Sequence, residues 1–371
     1  MHDFSDRPDS AQAGAILTID LGAIRENYRL LRSQLGAARC AAVVKAGGYG
    51  LGAAQVAAAL RKEGCEVFFV AHAVEGLSLR RALGDNPEIF VLNGIYPGAE
   101  DACAAAGLIA VANSVEQLAA WRKAAVRRGA KLPVAVQVDS GMSRLGMAPA
   151  EVESVAADAG AFDGLGLRLV MSHLACADEP DNPANEAQRL AFDALRRILP
   201  HAPASLANSS GVFLGKDFRY DIARPGAALY GVNPTPGKAN PMRQVVRLDA
   251  KVVQTRELEA GIGVGYGYAF RTTAPLRLAT IALGYADGWP RRTAACAWFD
   301  GAKLPFAGRV SMDSIILDIS ALPPGRLQAG SLVEVIGPSQ TVDELAALAG
   351  TIGYEILTGL GRRFHRRYEG G

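Results

Sequence analysis

From Ala41 to Arg224 the chain repeats one pattern: a short apolar run, an amphipathic stretch, then another apolar run. The apolar runs are AAVVK (41–45), EVFFVA (66–71), EIFVLN (88–93), IAVAN (109–113), LPVAVQVD (132–139), LRLVMSHL (167–174), ASLANS (204–209) and YDIAR (220–224). The stretches between them carry helix signals. SVEQLAAWRKAAVRRG opens on Ser114, with Gln117 three residues on as in a capping box, and closes on Gly129. NEAQRLAFDALRRIL (185–199) places Leu190, Leu195 and Leu199 near one face. Eight strand–helix alternations predict an α/β protein with an N-terminal (β/α)8 TIM-like barrel. An open doubly wound sheet is the alternative, because short strands are easily miscounted.

After Pro234 the texture changes. VVRLDAKVVQTREL, PLRLATIALG, SIILDIS and SLVEVIG alternate or run apolar, broken by Gly, Pro and Asp, with one short helix expected near VDELAALAG. The expected domains are residues 1–240, the barrel, and residues 241–371, mostly β. The early run AILTIDL precedes the eight and is expected to be a strand of the second domain.

Half of the 371 residues are hydrophobic and the formal net charge is +2, which gives no electrostatic case for nucleic acid or an anionic membrane. A small-molecule partner fits better. The polar opening MHDFSDRPDSAQ lacks the apolar core of a signal peptide, and no run of about twenty apolar residues occurs. Cytoplasmic localisation is the expectation. Cys40, Cys65, Cys103, Cys176 and Cys296 are scattered, odd in number and without a C-x-x-C pair, so neither a disulfide framework nor a metal site is expected.

Polar groups close several of the apolar runs: Lys45 the first, His173 in the sixth, Asn208 and Ser209 the seventh, Arg224 the eighth. A barrel builds its chemistry at that rim. A lysine desolvated there, near a cation such as Arg224, has its pKa lowered and can act as a base or attack an aldehyde at neutral pH. The glycines after Lys45 let the backbone approach a bound group closely. Tyr49 is the one large side chain of that loop, able to hydrogen-bond an anion.

VVKAGGYGLGA resembles the pyridoxal-phosphate lysine motif of alanine racemases. VDSGMSRLGM, SHLACAD, LANSSG, DIARPGAALYG, VGYG, GYADGWPR and GRVSMDS match in order and spacing, from about Ala15 to Tyr368. The resemblance implies that Lys45 holds pyridoxal 5'-phosphate covalently and that Tyr266 is a second base, supplied across a homodimer interface. It implies phosphate contacts from Tyr49, Ser209 and the backbone about Gly226, with Asn208 beside them. Arg224 would face the pyridine nitrogen and take a hydrogen bond with His173, while Arg144, Met312 and Tyr285 would lie on the substrate side. The implied activity is interconversion of L- and D-alanine by two bases on opposite faces of the α-carbon, supplying D-alanine for peptidoglycan.

Five positions depart from the family's usual pattern. Gly47, Gly48 and Leu51 replace the residues usual after the lysine, and Gln137 stands where many members carry a lysine that becomes carbamylated and steadies the arginine matching Arg144. Arg362 stands where some members have a tyrosine at the phosphate. A racemase of another small amino acid such as serine stays open, since a pocket discriminates one small group by only about 1–3 kcal/mol. So does a non-catalytic pyridoxal-phosphate carrier, although such carriers lack a β domain like that around Tyr266. A decarboxylase on the same plan would need a catalytic cysteine, and Cys296 has no such setting.

Overall fold

The computed structural model describes residues 8–371; most of the polar opening stretch read as lacking a signal peptide, residues 1–7, lies outside them. β1 (Ala15–Asp20) runs directly into α1 (Leu21–Gln34). Residues Ile24–Arg243 form one compact unit, and the described residues up to Ala23 join Gln244–Gly371 in a second.

The first unit alternates strands and helices. Its strands are β2 (Arg39–Cys40), β3 (Ala42–Val43), β4 (Val67–Val70), β5 (Glu88–Val91), β6 (Ile109–Ala112), β7 (Leu132–Gln137), β8 (Leu165–Met171), β9 (Ala204–Ser205) and β10 (Ile222–Ala223). Between them lie the turn α2 (Lys45–Tyr49) and the helices α3 (Ala53–Lys62), α4 (Ala73–Leu83), α5 (Glu100–Ala105), α6 (Val115–Arg128), α7 (Pro149–Ala157) and α8 (Ala184–Ile198). β3 to β9 pair in sequence order as one parallel sheet. β2 immediately precedes the first apolar run and β3 lies within it: β2 pairs with β10 and β3 with β4. Backbone bonds from Asp221 to Ala204 and from Arg224 to Ala207 tie β10 to the seventh run, so the ring closes. All eight apolar runs are strands, and the barrel stands over the open sheet.

Strands covered on both faces need no polar alternation. That is why β4 and β6 are buried at every position. Ser114 caps α6 by accepting from the Gln117 amide, and Gly129 ends it in the left-handed conformation. The reading of α8 needs correction: Leu195 and Leu199 are buried, but Leu190 is 55% exposed. Five residues separate Leu190 from Leu195, about 140° around a helix, and Gln188 and Phe192 fill the buried face instead.

The second unit is mostly strand: β11 (Val246–Leu258), β12 (Gly263–Val264), β13 (Phe270–Arg271), β14 (Leu276–Ile281), β15 (Cys296–Phe299), β16 (Ala302–Pro305), β17 (Ile315–Asp318), β18 (Leu332–Ile336) and β19 (His365–Glu369), with α9 (Val342–Ala349) and α10 (Gly353–Gly359). The long β11 serves two neighbourhoods. Before its irregularity at Val252/Gln254 it pairs with β1 and β18, and after it with β14. β1 pairs antiparallel with β11 and parallel with β19. α10 and the hairpin β15–β16 go beyond the elements expected from the sequence. Among the described residues no helix is long and apolar enough to cross a membrane.

Candidate active site

The first apolar run hands over to Lys45 once Val44 has donated its N–H to the Phe69 carbonyl. The chain then turns with the opposite hand. Ala46, Gly47, Gly48 and Tyr49 have φ of 52°, 64°, 70° and 52°. Each left-handed L-residue costs roughly 1–2 kcal/mol, a penalty glycine escapes. Gly48 is required twice over, because a Cβ there would lie 2.9 Å from the Ala53 nitrogen. At Gly47 nothing lies within 4 Å of a Cβ, so only backbone freedom speaks for glycine.

This turn folds Tyr49 inward. Its buried ring stacks on Tyr230 at 4.6 Å between centroids, and a Cβ on Gly226 would sit 2.3 Å from its oxygen. Ser209 Oγ accepts from the amides of Gly226 (2.9 Å) and Ala228 (3.2 Å), while Asn208 Oδ1 accepts from the Gly211 amide (2.9 Å). Two amides on one oxygen leave the Ser209 proton to point elsewhere. The phenol, that hydroxyl and the amides at Gly226 thus gather at the ends of the first, seventh and eighth runs.

Arg224 is fully buried and its partners are neutral. It donates to Ser205 Oγ (2.5 Å), to the Ser172 carbonyl (2.6 Å) and to His173 Nδ1 (3.3 Å). Burial lowers its pKa to about 9. Desolvation of the half-buried His173 holds its pKa well below the ordinary value, and Arg224, Arg144 and Lys45 push the same way. Lys45 is lowered too, by burial first and then by Arg144 and Arg224, with Glu75 opposing.

Arg144 sits on a loop made by its neighbours. Asp139 Oδ1 accepts the amides of Gly141, Met142 and Ser143, and Ser143 takes a φ of 54°. Buried Gln137 donates from Nε2 to the Leu145 carbonyl at 3.1 Å. The carboxamide therefore anchors the backbone of the residue after Arg144.

Tyr266, Tyr285 and Met312 lie in the second unit. Tyr266 opens a short turn between β12 and β13, is 68% exposed, and is flanked by Gly265 and Gly267 at positive φ. Tyr285 and Met312 are joined by their backbones: Tyr285 donates to Ser311 and Ala286 to Met312, each at 3.0 Å. Arg363 holds the pair of loops, bonding Asp287 at 2.7 Å and Asp313 at 2.7 Å. Arg362 next to it is exposed. Glu75, Asp139 and Arg363 were not singled out from the sequence. Asp139 and Asp287 lie inside the quoted motifs, and an acid beside glycines was the signal available.

Two family descriptions match the chain: "Alanine racemase, N-terminal domain" over residues 19–234 and "Alanine racemase, C-terminal domain" over residues 245–368. A protein of Mesorhizobium japonicum named "Alanine racemase, catabolic" is 67% identical, over 97% of this chain and 95% of its own. One of Agrobacterium fabrum with the same name is 53% identical, over 96% of this chain and 92% of its own. Among solved structures, the alanine racemase of Bartonella henselae with covalently bound pyridoxal phosphate superposes with a TM-score of 0.92 at 42% identity. It covers 96% of this chain and 99% of that one.

Proposed function

The chain belongs to the alanine racemase family, and from that premise we propose that it interconverts L- and D-alanine in the cytoplasm, using pyridoxal phosphate held on Lys45. The residues fit that cofactor. The Tyr49 phenol and the Ser209 hydroxyl, whose oxygen the Gly226 and Ala228 amides hold in place, are donors suited to a phosphate, and glycine at 226 lets the phenol sit where a Cβ would collide with it. A lysine with a lowered pKa suits an aldehyde. The observation that carries the reading is this convergence of Lys45, Arg224, His173 and the donor set at one end of the barrel.

Pyridoxal phosphate, when joined to an amino acid, draws electrons from the α-carbon and acidifies its C–H bond. The protein's part is to move protons at that carbon. Lys45, its pKa lowered by burial and by Arg144 and Arg224, would take the proton from one face or return it. Tyr266 of a second subunit does the same at the other face, the roles exchanging with direction. In a two-fold homodimer each barrel is then completed by the partner's β unit. Arg224, held by neutral partners, would face the pyridine nitrogen of the bound cofactor and disfavour a proton there, which would restrain side reactions. Arg144 would lie on the substrate side of the barrel, and Met312 and Tyr285 belong to the β unit that the partner would supply.

Enantiomers have equal free energy, so the enzyme leaves their ratio near one and the physiological direction is set by what removes the product. Supply of D-alanine for peptidoglycan is one such role. The naming of the relatives at 67% and 53% identity favours the other, breakdown of alanine. Circular dichroism on a panel of L-amino acids with purified protein tests the activity. Alanine should lose its signal fastest, and a faster loss with serine would move the assignment. Deleting the gene tests the role: a D-alanine requirement means supply, and failure to grow on alanine means breakdown.

A further inference from the structure

Glu75 occupies the third position of α4, where a glutamate commonly bonds the amide that precedes the helix. Its Oε2 does so, accepting from Ala71 (2.8 Å) and His72 (3.0 Å). Its other oxygen leaves the helix altogether. Oε1 accepts the amide of Ala46 at 2.6 Å, the residue directly after Lys45 and the first of the left-handed turn. One half-buried carboxylate therefore stitches the loop after β3 to the loop after β4.

We propose that Glu75 is a positioning residue for Lys45: its carboxylate holds the left-handed turn that presents the lysine and supplies the negative charge the lysine faces. The geometry gives both halves of the argument. Alanine takes φ of 52° only where its surroundings over-determine it, and an ionised acceptor on its amide is a strong restraint. The charges facing Lys45 are the cations Arg144 and Arg224 and the anion Glu75, with neutral His173 alongside. Without Glu75 both remaining charges would push the lysine toward its neutral form, which favours a base and disfavours an acid. A group that must alternate between the two needs the balance.

This inference rests on the assignment of Lys45 as the cofactor-bearing base, and its test separates the two. The loaded full-length enzyme is compared with Glu75→Gln and Glu75→Asp by hydrogen exchange of residues 46–51 and by the pH dependence of kcat in both directions. Glu75→Gln keeps the shape and removes the charge, so in the direction where Lys45 accepts the proton the acid limb should move down by on the order of 0.5–1.5 pH units. Glu75→Asp keeps the charge but is too short to reach both loops, so the limb should stay while exchange at Ala46 rises roughly tenfold or more. An unmoved limb in Glu75→Gln, or wild-type exchange in Glu75→Asp, overturns the proposal. Absence of racemisation by the wild type would instead sink the assignment of Lys45, and leaves the exchange comparison readable.

Discussion

Arg224 donates to Nδ1 of His173 across 3.3 Å, so a guanidinium charged at neutral pH fixes the imidazole as a neutral acceptor. The cost shows on acidification. His173 has a folded pKa well below its ordinary 6.5, so below about pH 6.5 the unfolded chain binds a proton that the folded chain refuses. Stability should fall as pH drops through that value toward the folded pKa. Thermal unfolding between pH 7.5 and 5.5 checks it: wild type should lose stability, and His173→Gln should flatten the slope. An equal slope in both would remove His173 as the cause.

Replacing Arg224 with glutamate should let the pyridine nitrogen take a proton, because an anion would now face it. Transamination, read as pyruvate formed per racemisation, should rise while racemisation falls. The milder Arg224→Lys cannot fork to Ser205, Ser172 and His173 at once, and should cost about 1–3 kcal/mol of stability through the acceptors it leaves unpaired. An unchanged product ratio in Arg224→Glu, with the protein folded and loaded, would count against Arg224 at the ring nitrogen.

Gly47 and Gly48 should respond differently to a side chain. Gly47→Asn enters open space, and asparagine tolerates a left-handed backbone, so a loss of under about 1 kcal/mol is expected. Gly48→Ala meets the Ala53 backbone as well as the strained φ, and should lose at least about 2 kcal/mol together with activity. Denaturant midpoints and kcat for the two variants decide the matter; equal losses would contradict the packing at Gly48.

Gln137 cannot form a carbamate, so the wild type should be indifferent to bicarbonate. Gln137→Ala orphans the Leu145 carbonyl beside Arg144 and should raise KM for alanine more than it lowers kcat. Gln137→Lys should introduce bicarbonate dependence. Loss of wild-type activity on strict removal of carbon dioxide would contradict the first expectation.

Lys45→Ala and Tyr266→Phe chains should each be inactive alone. Refolded together in equal amounts, half the dimers pair unlike chains, and each such dimer holds one site with both a lysine and a tyrosine. Activity should recover to about a quarter of wild type. No recovery, with mixed dimers demonstrated, would mean that Tyr266 does not serve a neighbour's Lys45.

The eight strands were legible because parallel strands buried on both faces leave unbroken apolar runs. Once a barrel is granted, Lys45, Arg224 and His173 need no long-range prediction, since strand ends share a rim. The capping of α6 was legible for the opposite reason: Ser114 and Gln117 act within one turn. What the pattern hid was side chains that work on a distant backbone. Glu75 reads as an ordinary cap, and nothing in the order of residues says that its second oxygen reaches Ala46. The β15–β16 hairpin was missed although Asp300–Gly301 is a strong turn signal, and both residues do take positive φ. Leu190 failed because leucine spacing outweighed helix geometry while the buried face was taken up by Gln188.

The turn after Lys45 has a stereochemical consequence. From Ala46 to Tyr49 the backbone winds with the hand natural to D-residues, and Ala46, at φ 52° and ψ 43°, is close to the mirror image of an ordinary helical alanine. Built into a semisynthetic chain at that position, a D-alanine would sit relaxed where the L-form is strained, by roughly 1–2 kcal/mol. A protein proposed to erase the distinction between the two alanines thus enforces it in its own backbone, one residue from the lysine.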